Sequence, residues 1–145
     1  GQGEVMVTPL NIALFYSTLS NEGNMMQPRL VISENSEVKV WKENLISQNN
    51  LPILIDAFTA AVNDAGATLP DGAVPGHRVA GKSGTAEIKS SQDDTDGTEN
   101  GWFVSTDPDS SKISISMIIE NVKDRGGSHV TIPKVRNVMD YYLNR

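Results

Sequence analysis

The sequence predicts an α+β fold, an antiparallel sheet packed with helices. Three observations carry this. Leu51, Leu54, Ile55, Phe58 and Val62 recur at helical spacing. Ile113, Ile115, Met117 and Ile119 alternate with Ser114, Ser116 and Ile118, the period of a strand. Three β-prone runs then follow one another through short polar connections, which implies antiparallel pairing.

From the N-terminus, Gly1 to Gly3 reads as a turn. Thr8-Pro9 opens the first helix: Thr8 caps it, and Pro9 at the first helical position loses no needed N–H. Leu10, Ala13 and Leu14 form its apolar face, widened by Ile12, Phe15, Tyr16 and Leu19, and Gly23 stops it. Arg29 to Ile32 and Val38 to Trp41 are β-prone and suggest a hairpin turning at Asn35-Ser36, an exposed excursion without a functional role. The second helix spans Asn50 to Ala65, because Pro52 is tolerated only in the first turn and Gly66 ends it. Ala67 to Gly76 reads as a loop. Arg78 to Ile88 is the first strand of the sheet, Lys89 to Thr98 an acidic loop, and Trp102-Phe103-Val104 the second strand. The third strand, Ile113 to Ile119, is expected to bury one face well. Asp107 to Ser111 is its tight connection to the second. Gly126-Gly127 breaks the chain, and Thr131-Ile132-Pro133 starts a last helix with Ile132, Val135, Val138, Met139, Tyr142 and Leu143 as apolar positions.

The bulk chemistry narrows the partners. The 145 residues suffice for one domain with a core. A net charge of −6 argues against nucleic acid and against electrostatic docking on an anionic membrane. With no cysteine, disulfides and thiolate metal sites are excluded. No apolar run approaches the ~18 residues of a membrane span. A chain beginning Gly-Gln-Gly without Met or signal peptide reads as a fragment.

Chemistry concentrates in Gly81-Lys82-Ser83-Gly84-Thr85-Ala86-Glu87. Lys82 supplies a cation for a substrate carboxylate, and Ser83 and Thr85 add hydroxyl donors. Gly84 lacks a Cβ, so a peptide-like ligand can lie flat on the strand and pair with its edge. The Thr85 backbone N–H can serve as an oxyanion donor. Gly76 to Ser83 also spells G-x-x-x-x-G-K-S, a literal phosphate-loop match. Its context is wrong, since Ala73-Val74-Pro75 is a poor buried strand and Gly84 follows where a helix should begin.

Lys82-Ser83-Gly84 resembles the K-[ST]-G motif of penicillin-binding proteins and serine β-lactamases. Further segments in order extend the likeness along nearly the whole chain. Gly1-Gln2-Gly3-Glu4-Val5 with Thr8-Pro9-Leu10, Val79 to Glu87, and Gly101 to Val104 resemble the C-terminal part of a class B penicillin-binding protein transpeptidase domain. Gly1 to Glu4, Lys82 to Glu87, Trp102 to Ser105 and Asn121 to Asp124 resemble its low-affinity, resistance-type members from Gram-positive bacteria.

That resemblance implies a D,D-transpeptidase that cross-links peptidoglycan stem peptides, is acylated by β-lactams at a serine, and needs no cofactor. It assigns Lys82, Ser83 and Gly84 to substrate and β-lactam carboxylate contacts, and Thr85 to the oxyanion backbone donor. It implies a parent anchored at the extracellular face of a bacterial cytoplasmic membrane. It places the S-x-x-K and S-x-N motifs upstream of Gly1, so this piece is expected to lack the nucleophile and to be inactive alone. Two of the family's five strands also lie upstream, so the open sheet is expected to self-associate or to bind the missing N-terminal part. A serine β-lactamase-like fragment and a non-catalytic cell-wall interaction module remain alternatives.

Four other features read as structural. Ser36-Glu37-Val38-Lys39 fits S-x-x-K, but in a strand residues three apart point to opposite faces. Ser47-Gln48-Asn49 fits S-x-N but follows too closely, at a helix start. His77 and His129 lack a paired carboxylate pattern and read as exposed loop residues, with no metal site. Asp93-Asp94-Thr95-Asp96-Gly97 looks calcium-like but lacks the distal Glu and reads as a solvated loop.

Overall fold

Thr8 caps the first helix, α1 (Pro9–Ser17), in a computed structural model that describes residues 5–31 and 37–145. Its hydroxyl accepts the Asn11 N–H at 3.2 Å, and the Asn11 side chain accepts the Thr8 N–H at 3.1 Å. The helix stops earlier than Gly23: a 3-10 turn, Thr18–Ser20, follows directly. Gly23 closes that turn instead, at φ +81°, where a Cβ would lie 2.3 Å from the Ile46 carbonyl oxygen. Only glycine fits there.

The expected hairpin is displaced. β1 (Met25–Met26) pairs antiparallel with β2 (Val40–Lys42), so Arg29 to Val31 take no part in a ladder. The expected turn at Asn35-Ser36, with Gly1 to Gly3 and Ser36 of the S-x-x-K match, lies outside the described residues. Ser47 sits one turn before α2 (Leu51–Asn63) and accepts the Asn50 and Leu51 N–H groups through its carbonyl, each at 3.0 Å. The loop from Ala67 to Gly76 is a packed element, because Leu69 and Val74 drive it into the core around a 3-10 turn at Pro70–Gly72.

β3 (Ala80–Ile88), β4 (Thr98–Thr106) and β5 (Ser114–Ile119) form an antiparallel sheet in the order β3-β4-β5. β3 begins two residues later than Arg78, and the Val79 backbone just ahead of it is bonded to the Asn63 side chain. β4 runs beyond Trp102–Val104 at both ends, since the register pairs every β3 residue from Ala80 to Ile88 with it. β5 buries neither face fully. It is one of the two outer strands of the sheet among the described residues.

The register fixes the faces. Ser83, Phe103 and Met117 are cross-strand neighbours on one face, where α3 (Ile132–Leu143) packs. Phe103, Ile132, Val135, Met139 and Leu143 form the main core with Val62 and Val79. Val138 and Tyr142, expected on that stripe, are instead exposed. Lys82, Val104 and Ser116 share the opposite face. There α1 is tied to the sheet by the Ser114 hydroxyl donating to the Ala13 carbonyl at 3.1 Å. A second cluster of Leu19, Ile46, Leu51 and Ala80 fills the space between α2 and the start of β3. No helix among the described residues is long and apolar enough to cross a membrane.

Candidate active site

All four motif residues fall on β3, in mid-strand. That placement removes the phosphate-loop alternative, since Ser83 is followed by strand and not by a helix.

Backbone bonds around the sheet show which way the motif's N–H and C=O groups point. The Val122 N–H donates to Glu99 at 2.8 Å and the Asp107 N–H to Ile113 at 3.1 Å, both on the β5 side of β4. Alternation along an antiparallel ladder then assigns Asn100, Trp102, Val104 and Thr106 to bonds with β3. Their register partners are Ala86, Gly84, Lys82 and Ala80. The intervening positions, Ser83 and Thr85, therefore turn their backbone N–H and C=O groups away from β4, to the side where β3 has no strand neighbour among the described residues. Two contacts agree. The Asn63 amide reaches the Val79 carbonyl from that side at 2.7 Å, and the Lys82 ammonium donates to the Ser83 carbonyl at 2.6 Å.

The motif thus presents an edge with a cation over it. Lys82 is exposed, and its ammonium folds back onto the strand's own Ser83 carbonyl. An incoming carboxylate can draw that ammonium away from the carbonyl, because a full negative charge attracts the ammonium more strongly than a neutral carbonyl dipole does.

The two motif glycines differ in kind. A Cβ on Gly81 would lie 2.8 Å from a Val62 methyl and 3.0 Å from the Phe103 ring, so the core requires glycine there. On Gly84 it would meet only the Trp102 Cβ, at 3.7 Å, an ordinary contact. The fold does not require Gly84, and glycine lowers strand stability by about 0.5–1 kcal/mol relative to alanine. What its absent side chain leaves open is the approach to the edge.

Thr85 is held on the α3 face. Its hydroxyl accepts the Ser128 N–H at 3.1 Å, from the 3-10 turn Gly127–Val130 that leads into α3. The sequence shows Gly126-Gly127 only as a break, and nothing in it marks Ser128, Gly101 or Asn63 as supports of the motif strand.

The acidic loop beyond β3 is internally satisfied. Asp94 accepts the Ser90 N–H at 2.9 Å and its hydroxyl at 2.7 Å, with the Asp96 and Gly97 N–H groups on its other oxygen, each at 2.9 Å. These bonds, Ser90's first, hold its carboxyl well below the usual carboxylate range. Lys123 fastens the same loop by donating to the Gly97 carbonyl at 2.8 Å and the Thr95 carbonyl at 2.5 Å. His77 lies near the C-terminus, 3.2 Å from the Asn144 amide oxygen, and His129 is exposed in the 3-10 turn Gly127–Val130. Lys39 forms an ion pair with Glu37 at 3.4 Å, just before β2.

Comparison with known proteins places these features. The family model for the penicillin binding protein transpeptidase domain matches residues 1–140. The chain is 36% identical to penicillin-binding protein 3 of Bacillus subtilis over 136 residues, covering 94% of this chain and 20% of that protein. It is 33% identical to the peptidoglycan D,D-transpeptidase MrdA of Haemophilus influenzae over 164 residues, covering 100% of this chain and 25% of the relative. The chain therefore spans about a fifth to a quarter of the length of these curated relatives. Among solved structures, PBPA from Mycobacterium tuberculosis superposes with a TM-score of 0.80 at 24% identity, over 99% of this chain and 36% of that one. Penicillin-binding protein A from the same organism, as a ceftriaxone acyl-enzyme complex, gives 0.78 at 24%, over 99% and 34%. The structural likeness speaks for the fold.

Proposed function

Since this chain belongs to the penicillin-binding protein transpeptidase domain family, we propose that it forms the K-S-G wall of a serine-type D,D-transpeptidase site. In this reading residues 1–145 are the C-terminal portion of that domain, and the serine nucleophile lies outside them. The observation that carries it is the β3 edge at Ser83, turned away from β4 with no strand neighbour among the described residues, beside a Gly84 whose side-chain space the fold leaves unused.

The substrate is a peptidoglycan stem peptide ending in D-Ala-D-Ala, laid antiparallel along the β3 edge. Lys82, with the hydroxyls of Ser83 and Thr85, holds its terminal carboxylate. The serine oxygen attacks the penultimate carbonyl carbon, and negative charge gathers on the carbonyl oxygen. The Thr85 N–H is one donor to that oxyanion, a contribution worth about 3 kcal/mol. The C–N bond breaks, D-alanine leaves with a proton, and an acyl-enzyme remains. An amine of a second strand attacks that ester, the serine oxygen departs and regains its proton, and the cross-link is formed. A β-lactam enters by the same carboxylate contacts and acylates the same serine.

Placement of the parent protein at the outer face of the cytoplasmic membrane follows from this substrate and belongs to the proposal. So does the low-affinity, resistance-type assignment, which rests on the residue strings Lys82 to Glu87, Trp102 to Ser105 and Asn121 to Asp124.

The test is intact mass after incubation with a penicillin, on this chain and on the full-length protein that carries it. The expected result is no adduct on the folded chain and one stoichiometric, slowly hydrolysed adduct on the longer protein. An adduct on the chain itself would sink the assignment of the nucleophile. Rapid hydrolysis by the longer protein would favour a β-lactamase.

A further inference from the structure

The turn that leads into α3 sits against the motif strand at the residue whose backbone donor faces the substrate. Gly127 has φ +58°, and a Cβ there would lie 3.0 Å from the Thr85 hydroxyl oxygen. A Cβ on Gly101, the register partner of Thr85, would lie 2.8 Å from the Gly127 carbonyl oxygen and 3.1 Å from the Ser128 Cα. The turn's backbone therefore occupies the space that a side chain at Gly101 would take. From that slot the Ser128 N–H donates to the Thr85 hydroxyl at 3.1 Å. The segment just before the turn is bonded to the same hairpin, through Val122 to Glu99 at 2.8 Å.

We propose that the Gly127-Ser128 turn, seated in the slot left by Gly101, is a positioning device for the Thr85 oxyanion donor. This inference rests on the transpeptidase reading above. Roll of the strand about its axis at Thr85 would swing the outward N–H, and a hold on the Thr85 side chain limits that roll. Ser128 holds it from the α3 face. A donor must meet the developing oxyanion at hydrogen-bond distance, and a displacement of 1 Å can cost about 100-fold in rate. Ser128 itself does not touch substrate. It acts through Thr85.

The experiment uses the full-length protein carrying this segment, acylated by a penicillin. Gly127→Ala pushes a methyl into the Thr85 hydroxyl and strains the turn. The expected result is acylation slowed at least about tenfold at saturating penicillin, where any weakening of the carboxylate contact made by the Thr85 hydroxyl no longer limits the rate. The infrared stretch of the acyl carbonyl should move to higher wavenumber, because a weaker oxyanion hydrogen bond leaves more C=O double-bond character. A change that affected only folding would leave that stretch in place. Thr85→Val, which keeps the shape and removes the acceptor, should shift it the same way, and Thr85→Ser should restore it. Should Gly127→Ala fail to fold, the acyl carbonyl stretch of Thr85→Val decides, because the carboxylate contact that this variant also loses does not act on that carbonyl. A folded variant with wild-type acylation and an unshifted carbonyl overturns the inference and leaves the transpeptidase reading standing. If the unmodified full-length protein is not acylated at all, that reading fails and takes this inference with it.

Discussion

Replacing Gly81 and Gly84 separately by alanine should produce opposite defects, although the residues lie three positions apart on one strand. Both substitutions restrict the unfolded backbone by the same amount, so that gain of about 0.5–1 kcal/mol cancels in the difference between them. What remains is packing. The Gly81 methyl would lie 2.8 Å from Val62 and 3.0 Å from the Phe103 ring, and both neighbours are only 1% exposed, so neither can swing into solvent. Overpacking of this kind costs about 1–3 kcal/mol. The Gly84 methyl finds nothing closer than 3.7 Å, so no such cost applies. Gly81→Ala is therefore expected to unfold at lower urea than Gly84→Ala, by about 1–3 kcal/mol at matched m-values. In the full-length protein, Gly84→Ala should keep its stability and lose at least about tenfold in penicillin acylation, because the methyl stands where the ligand approaches. Equal unfolding midpoints would refute the packing argument. Wild-type acylation of a stable Gly84→Ala protein would refute the claim that this glycine serves the ligand.

Two further perturbations address the loops around the site. Asp107 is 4% exposed and accepts the N–H groups of Asp109, Ser110 and Lys112 at 3.1–3.3 Å, and the Ser110 hydroxyl. Burial raises its carboxyl, but the Ser110 hydroxyl and these N–H groups outweigh that and leave it below its ordinary value. A depressed folded-state pKa means the stabilisation is present above the unfolded value near ~3.9 and is lost as pH falls through the folded value. Asp107→Ala should thus lower stability at pH 7, and its deficit against wild type should shrink on acidification below about pH 4, as urea unfolding at several pH values will show. Lys123→Met should release the Gly97 and Thr95 carbonyls, costing about 1 kcal/mol and speeding amide exchange between Lys89 and Gly97 while leaving α3 unchanged. Unaltered exchange in that loop would show that Asp94 alone fixes it.

Elements whose signal is local were legible before any coordinates. Thr8 and Asn11 make their cap within one turn, Pro52 must stand at a helix start, and the Ile-Ser alternation of β5 is set by neighbouring residues. The ordered motifs also pointed to the family that residues 1–140 match. Where side-chain chemistry depended on distant chain, the reading fell short. Leu69 and Val74 lie in a Gly- and Pro-rich stretch that reads as loop, yet both are buried, because the core offered by α3 outweighs turn composition. Val138 and Tyr142 keep helical spacing but face solvent, because the sheet is too narrow to cover the whole stripe.

By itself, then, the sequence determined the class of fold, the helix starts, the strand that carries Lys82 to Thr85, and the chemistry those residue types can perform. Only the tertiary structure decided which motif glycine the core requires and which it does not, which backbone groups of β3 turn away from β4, and that Ser128 bonds the Thr85 hydroxyl. Capping and periodicity are properties of a few consecutive residues. Gly81 meets Val62, and Thr85 meets Ser128, through contacts 19 and 43 positions apart in the chain. No local pattern encodes a distance of that kind, which exists only once the sheet and its helices have packed.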